Sequence, residues 1–230
     1  MTNPRPYAAF PLAAASIIRA AGTRRLVVVA PHPDDETLGC GSLIAAAVRA
    51  GVRVAVIALT DGDASHPGSR RWPPPALARV RRAELRRALA RLGVGQAAVR
   101  FMRWHDGKVA VEGDALALRR TLVALGAGVV VAASPRDHHP DHQAGWRLAE
   151  AATRGRGVPL VSYAVWSRVA GPRAYDTGRK RWATRAHRSQ VGGYIADDPA
   201  GFRLTAADLA RFTGGAEAFA TPARRMKRDT

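Results

Sequence analysis

Three short, almost unbroken apolar runs constrain this chain most: "LVVVA" (Leu26–Ala30), "VRVAVIAL" (Val52–Leu59) and "VVVAA" (Val129–Ala133). Runs this apolar have no wet face. Strands of that kind are buried on both sides, as in a parallel sheet covered by two layers of helices. The segments between them have helical character. Gly39–Ala50 is closed by Gly51, and Ala76–Leu92 carries apolar residues at 77, 80, 85, 88, 89 and 92 before Gly93. Ala115–Leu125 and Gln143–Thr153 read as further helices, and Ala98–Met102 and Leu160–Val165 as further strands. The expected class is α/β, a three-layer Rossmann-like fold with a mostly parallel central sheet.

The 230 residues, 47% of them hydrophobic, suffice for one well-packed domain. We expect a single domain over residues 1–230, with its motif-bearing core at about 24–190 and the two end segments packed on it or partly mobile. Tyr7–Gly22 reads as an amphipathic helix rather than a secretion signal, because Pro11 and Arg19 interrupt it. No run reaches the ~18 apolar residues of a membrane span. The single cysteine, Cys40, excludes an intramolecular disulfide and fits a reducing, cytoplasmic compartment. The net charge of +18 implies a general attraction for anions. No zinc-finger or RNP-type motif accompanies it, so no specific nucleic-acid partner is expected. Neither G-x-G-x-x-G nor a Walker A motif is present, which argues against nucleotide binding.

In open α/β sheets, ligands bind beyond the carboxyl ends of the strands. Here those ends carry acids and histidines. "PHPDDE" (Pro31–Glu36) follows the first strand, "TDGD" with Asp61 and Asp63 the second, "RWHDG" with His105 and Asp106 the third, and "SPRDHHPDH" (Ser134–His142) the fourth. Four of the seven histidines fall in the first and last of these segments. "HPDD" and "HPDH" share a form: His, Pro, Asp, then a second donor three residues after the first. Proline suits the first turn of a helix and an acid there favours its dipole, so each segment is expected to turn a strand into a helix. Carboxylates this close repel, and a divalent cation offsets that cost. Imidazole and carboxylate donors without thiolate suit a catalytic zinc with a position left for water. The spacing does not distinguish His139 from His142 as the ligand, nor zinc from iron or manganese.

"PHPDDE", "RRAELRRALARLGV" (Arg81–Val94), "HPDH" and "HRSQ" (His187–Gln190) occur in one order. In this the chain resembles the PIG-L/LmbE-like zinc-dependent N-deacetylases over roughly Leu26–Gln190. The resemblance implies hydrolysis of an N-acetyl amide on an N-acetylglucosaminyl-type substrate, small or lipid-linked. It implies Zn(2+), with Fe(2+) a possible occupant in the cell, held by His32, Asp35 and His142. Asp34 would be the general base, His139 the group that stabilises the oxyanion or protonates the leaving amine, and Asp141 its orienting partner. Arg81 and Asp106 would contact the sugar. The alternatives are a hydrolase of a non-sugar N-acyl amide and a non-catalytic anion- or nucleic-acid-binding protein on the same fold.

Other positions carry two readings. Arg81 and Glu84 form either an ordinary i,i+3 helical ion pair or a rim that bonds sugar hydroxyls. Cys40, in "GCG", reads as a small packed residue. Trp104 and His105 read as a sugar platform or, for the tryptophan, as core. "ASHPGSRRWPPP" (Ala64–Pro75) reads as a long loop able to gate the site. His187 and Gln190 either tie the C-terminal segment down or approach the substrate.

Overall fold

The computed structural model describes residues 9–11, 13–167, 177–214 and 217–222. In chain order the elements are β1 (Ala9–Pro11), α1 (Ala14–Ala21), β2 (Arg25–Ala30), α2 (Asp35–Arg49), β3 (Arg53–Thr60), α3 (Pro74–Arg91), β4 (Val99–Trp104), α4 (Val109–Glu112), α5 (Ala115–Leu125), β5 (Ala127–Ala133), α6 (Pro140–Thr153), β6 (Leu160–Tyr163), α7 (Thr177–Thr184), α8 (Ala206–Thr213) and β7 (Phe219–Pro222). The strands form one sheet in the order β1-β7-β6-β5-β2-β3-β4. β6-β5-β2-β3-β4 are parallel, and β7 runs antiparallel to both its neighbours. This is the expected mostly parallel α/β fold.

The period of two along each strand divides the core. Leu26, Val28, Val54, Val56, Val129 and Val131 face one layer, which holds residues of α1, α2, α3, α7 and α8. Val27, Val29, Ala55, Ile57, Val130 and Ala132 face the other, with α5 and α6. Every residue of β5 is buried. A strand this enclosed tolerates no polar side chain, which is why its sequence is legible as "AGVVVAA".

β2 lies between β3 and β5, so the chain winds one way from β2 to β4 and the other way from β5 to β6. The crevice at such a switch point opens between the carboxyl ends of β2 and β5. "PHPDDE" and "SPRDHHPDH" leave those two ends. The fold thus brings together the two richest polar segments, 109 residues apart between His32 and Asp141.

Several boundaries differ from expectation. α2 starts at Asp35, not Gly39, and is kinked at Cys40 (φ −146°, ψ 23°). A Cβ at Gly39 would stand 2.2 Å from the Tyr163 ring, so the helix passes β6 where only glycine fits. Cys40 is fully buried and its thiol donates to the Glu36 carbonyl, the packed role expected. "HPDH" enters its helix at Pro140, whereas Pro33 of "HPDD" stays in a turn before α2; the two motifs are not one local structure. β6 ends at Tyr163 rather than Val165. Of the Gly171–Arg181 stretch expected to be irregular, 171–176 lie outside the described residues and the rest joins α7.

The kink in α2 frees backbone N–H groups, and a distant carboxylate takes them up. Glu217 accepts from Ser42 N (2.7 Å), Leu43 N (3.0 Å) and Lys180 Nζ (2.7 Å), with Lys180 fully buried. Glu217→Ala strands the buried ammonium and uncaps the helix. We expect a loss of about 3–5 kcal/mol in urea unfolding; a loss under about 1 kcal/mol would mean the pair contributes little.

Candidate active site

The turn after β2 and the first turn of α6 place a compact group of imidazoles and carboxylates at the switch point. Asp35 Oδ2 lies 3.1 Å from His32 Nδ1 and 3.2 Å from His142 Nε2, and also accepts the His32 backbone N–H at 2.9 Å. His142 Nδ1 meets Asp137 Oδ2 at 2.9 Å. Asp137 is fully buried and also accepts from Val165 N and Ser167 N, so it is an acceptor toward the imidazole as well. That fixes a proton on Nδ1 and leaves the buried Nε2 facing the Asp35 carboxylate. In a neutral His142 a lone pair would stand 3.2 Å from a carboxylate oxygen, a contact that a shared cation or a proton relieves.

In the metal-free protein a proton serves. Burial acts to lower the pKa of His142, but Asp35 and Asp137 override it and hold the group at about 9. Burial likewise opposes His32, yet Asp106, Asp141 and Asp35 raise it well above the usual range. Burial pushes Asp35 up, and His142 and His32 together bring it well below an ordinary carboxylate. Imidazolium and carboxylate thus stabilise one another's charge in this group.

Among the described residues two donor sets lie within 4.8 Å: His32 with His139 and His142, and His32 with Asp106 and Asp141. The remaining members of these sets already have backbone partners. Asp106 accepts from Ala64 N (3.0 Å), and Asp141 from Gly107 N (2.7 Å) and Val109 N (3.1 Å). His139 Nδ1 accepts from Asp141 N at 3.2 Å.

Beside this group opens a cavity of about 300 Å³. His32, Asp34, Asp35, Arg81, Asp106 and His139 line it, and Trp166, Gln190 and Phe202 stand on it too. Asp34 is buried, and burial raises its pKa against the pull of Arg81, whose guanidinium is 3.1 Å away. Arg81 is itself buried and donates to the Gly62 carbonyl at 2.7 Å. Gly62 has φ +67°, and a Cβ there would lie 2.3 Å from the guanidinium. Glycine is required on both counts.

The structure gathers all eight residues singled out from the sequence, but their contacts differ in detail. Arg81 and Glu84 do not form the helical pair: Arg81 turns to Asp34, and Glu84 accepts from Ser189 N and Oγ. Asp141 meets His139 through its backbone N–H, while its carboxylate faces His32 at 3.3 Å. Asp106 Oδ1 is 3.1 Å from His32 Nε2. The Trp104–His105 platform is not formed. Trp104 packs on the second core cluster, and the exposed His105 pairs with Glu112. Asp61 pairs with Arg82, and His138 is exposed outside the cavity lining. His187 is fully buried and bonds Thr37, whereas Gln190 reaches the cavity.

The loop after β3 does not hang free. Asp197 accepts from Ser69 Oγ, Arg70 N and Arg71 N, Asp198 from Gly68 N, and Phe202 N donates to Ser65 O. These bonds join residues 64–71 and 197–202. Sequence reasoning gave no role to Asp137, Trp166 or Phe202. An acid five residues before a histidine was a weak signal for the first; the aromatics gave none, since they meet only in three dimensions.

Residues 27–153 match the PIG-L family, described as GlcNAc-PI de-N-acetylase. A relative from Mycolicibacterium vanbaalenii, a 1D-myo-inositol 2-acetamido-2-deoxy-alpha-D-glucopyranoside deacetylase, is 35% identical over 176 residues, 64% of this chain. The chain spans about three fifths (61%) of the length of that relative. The solved N,N'-diacetylchitobiose deacetylase from Pyrococcus horikoshii superposes with a TM-score of 0.66 at 22% identity, over 76% of this chain and 73% of that one. A 4-carboxy-2-hydroxymuconate hydratase from Pseudomonas putida KT2440 gives 0.67 at 15% identity, over 90% of this chain and 99% of that one. At these identities the two structures share the fold, and their different activities show that the fold alone names no reaction. The sequence match is of another order: with more than half of its residues and both histidine-bearing motifs inside the matched span, the chain belongs to the PIG-L family.

Proposed function

We propose that this protein is a zinc-dependent N-deacetylase that releases acetate from an N-acetylglucosaminyl-type amino sugar. The observation that carries the reading is the buried approach of His142 Nε2 and His32 Nδ1 to Asp35 Oδ2, beside a cavity lined by Asp34. Membership of the PIG-L family and the activity of the mycobacterial relative support it. His32, Asp35 and His142 are the residues that would hold the ion. The other donor sets around His32 draw on Asp106, Asp141 and His139. When bound, zinc supplies Lewis acidity toward both water and the amide carbonyl.

The remaining chemistry falls to the chain. Asp34 takes the proton of the attacking water; burial raises its basicity, and Arg81 keeps it ionised and aimed. His139 accepts at Nδ1, so in the neutral ring the proton resides on Nε2. An Nδ1 that accepts a backbone N–H carries no proton of its own. Burial, His32 and His142 also press His139 below its ordinary pKa. Its Nε2–H donates to the developing oxyanion. Asp34, now protonated, is placed to return its proton to the departing nitrogen, giving amine and acetate. Asp141 is a positioning residue that fixes His139 through its backbone and holds the 107–109 turn.

Purified protein given N-acetylglucosamine and its glycosides is expected to release equal amounts of free amine and acetate. Release of neither from metal-loaded protein would direct the search to another N-acyl amide.

A further inference from the structure

The cavity has two unlike sides. Its floor is polar, with His32, Asp34, Asp35 and Arg81; Trp166 and Phe202 stand on it as an aromatic wall, edge to face with centroids 6.0 Å apart and planes at 87°. We propose that Trp166 and Phe202 form an apolar subsite for the aglycone, so that the enzyme selects amino sugars carrying an aromatic or alkyl group at the end remote from the amide. The inference rests on the deacetylase reading and adds the substrate class to it.

Four observations carry it. Phe202 is 41% exposed, and it lines the cavity. Its position is held by backbone: Phe202 N donates to Ser65 O at 2.8 Å, and a Cβ at the preceding Gly201 would stand 2.2 Å from His66, so that segment lies flat on the loop. Trp166 is held from behind by Phe212, edge to face at 5.4 Å, and by Arg211 over its ring at 5.4 Å. A wall fixed in this way needs little ordering when a ligand arrives. Finally, both aromatics lie outside the residues that match the family, 27–153, whereas the polar floor lies inside them. The chemistry and the wall therefore come from separate stretches of chain.

The choice of aglycone follows from burial. The scissile amide must reach the buried floor at His32, Asp34 and Asp35. The part-exposed Phe202 stands at the mouth, so it meets the far end of a bound substrate. A cavity of about 300 Å³ has room for a sugar substituent beyond the acetyl group.

The test compares wild type with Phe202→Ser on N-acetylglucosamine, its phenyl β-glycoside, and N-octanoylglucosamine. Phe202 contributes a backbone bond that any residue retains, and its exposure makes the variant safe for folding. Wild type is expected to favour the phenyl glycoside over the free sugar by about tenfold or more in kcat/KM. Phe202→Ser is expected to abolish that preference, its loss of kcat/KM on the phenyl glycoside exceeding its loss on the free sugar by about tenfold. Phe202→Leu is expected to keep most of it. Equal losses on all three substrates, no preference in wild type, or a loss confined to N-octanoylglucosamine would overturn the assignment. Calorimetric binding of phenyl β-glucosaminide, the amine product, needs no turnover. Discrimination between wild type and Phe202→Ser in binding, without amine release from any substrate, would keep the subsite and sink the deacetylase reading; binding without discrimination would sink the subsite.

Discussion

His142→Ala is expected to lose zinc affinity by more than about 100-fold and to lose turnover with it, because it deletes a ligand rather than one of the ligand's supports. The supporting contact provides the scale. Asp137→Asn leaves His142 in place but weakens the acceptor at Nδ1, and changes of that kind cost roughly 10–100-fold in metal affinity. The order His142→Ala below Asp137→Asn below wild type, in zinc retained after dialysis against a competing chelator, is the expected result. His142 is fully buried, so thermal unfolding is followed in parallel, with chelator present for every variant. Equal zinc content in His142→Ala and wild type, both folded, would remove His142 from the ligand set. It would then favour the trio of His32, Asp106 and Asp141, whose donor atoms lie within 4.8 Å of one another.

Asp34→Asn separates the base from the metal. We expect it to keep its zinc and to lose roughly 10²–10⁴-fold in kcat, the usual contribution of a positioned general base. Near-normal turnover would assign the base elsewhere. Arg81 offers a second reading of the same group. Its guanidinium lowers the pKa of Asp34, opposing burial. In Arg81→Met that opposition is gone, so the Asp34 pKa rises. A base must be ionised to act, and the acid limb of the kcat/KM profile is therefore expected to move to higher pH. An Arg81 that served only to bind sugar hydroxyls would raise KM and leave the limb where it was.

Much of this was legible in the chain, for definite reasons. β2, β3 and β5 are buried on both faces, so their composition alone gives them away to within two residues. The polar cluster was legible because acids and histidines directly after such strands have a cost that only function explains. β1 and β7 are three and four residues long at one sheet edge and leave no periodic trace. α7, "TGRKRWAT", inverts the usual pattern: it buries a lysine, satisfied by Glu217 from 37 residues away, and exposes Trp182. Local rules cannot find such a helix, since the partner that makes the burial tolerable is remote. The same holds within the site. His32, Asp34, Asp35 and His142 could be found from two motifs, but Asp137 acts through a turn, and the wall of Trp166 and Phe202 exists only once β6 and the loop before α8 are assembled.

The account turns on whether amide hydrolysis requires a cation, for which His32, Asp35 and His142 are the proposed ligands. The direct measurement is free-amine release from the phenyl β-glycoside of N-acetylglucosamine by protein stripped with chelator and titrated with zinc. The expected result is no release from stripped protein, and release that rises in proportion to zinc until one equivalent is bound. Undiminished release from protein shown to be free of metal would contradict it.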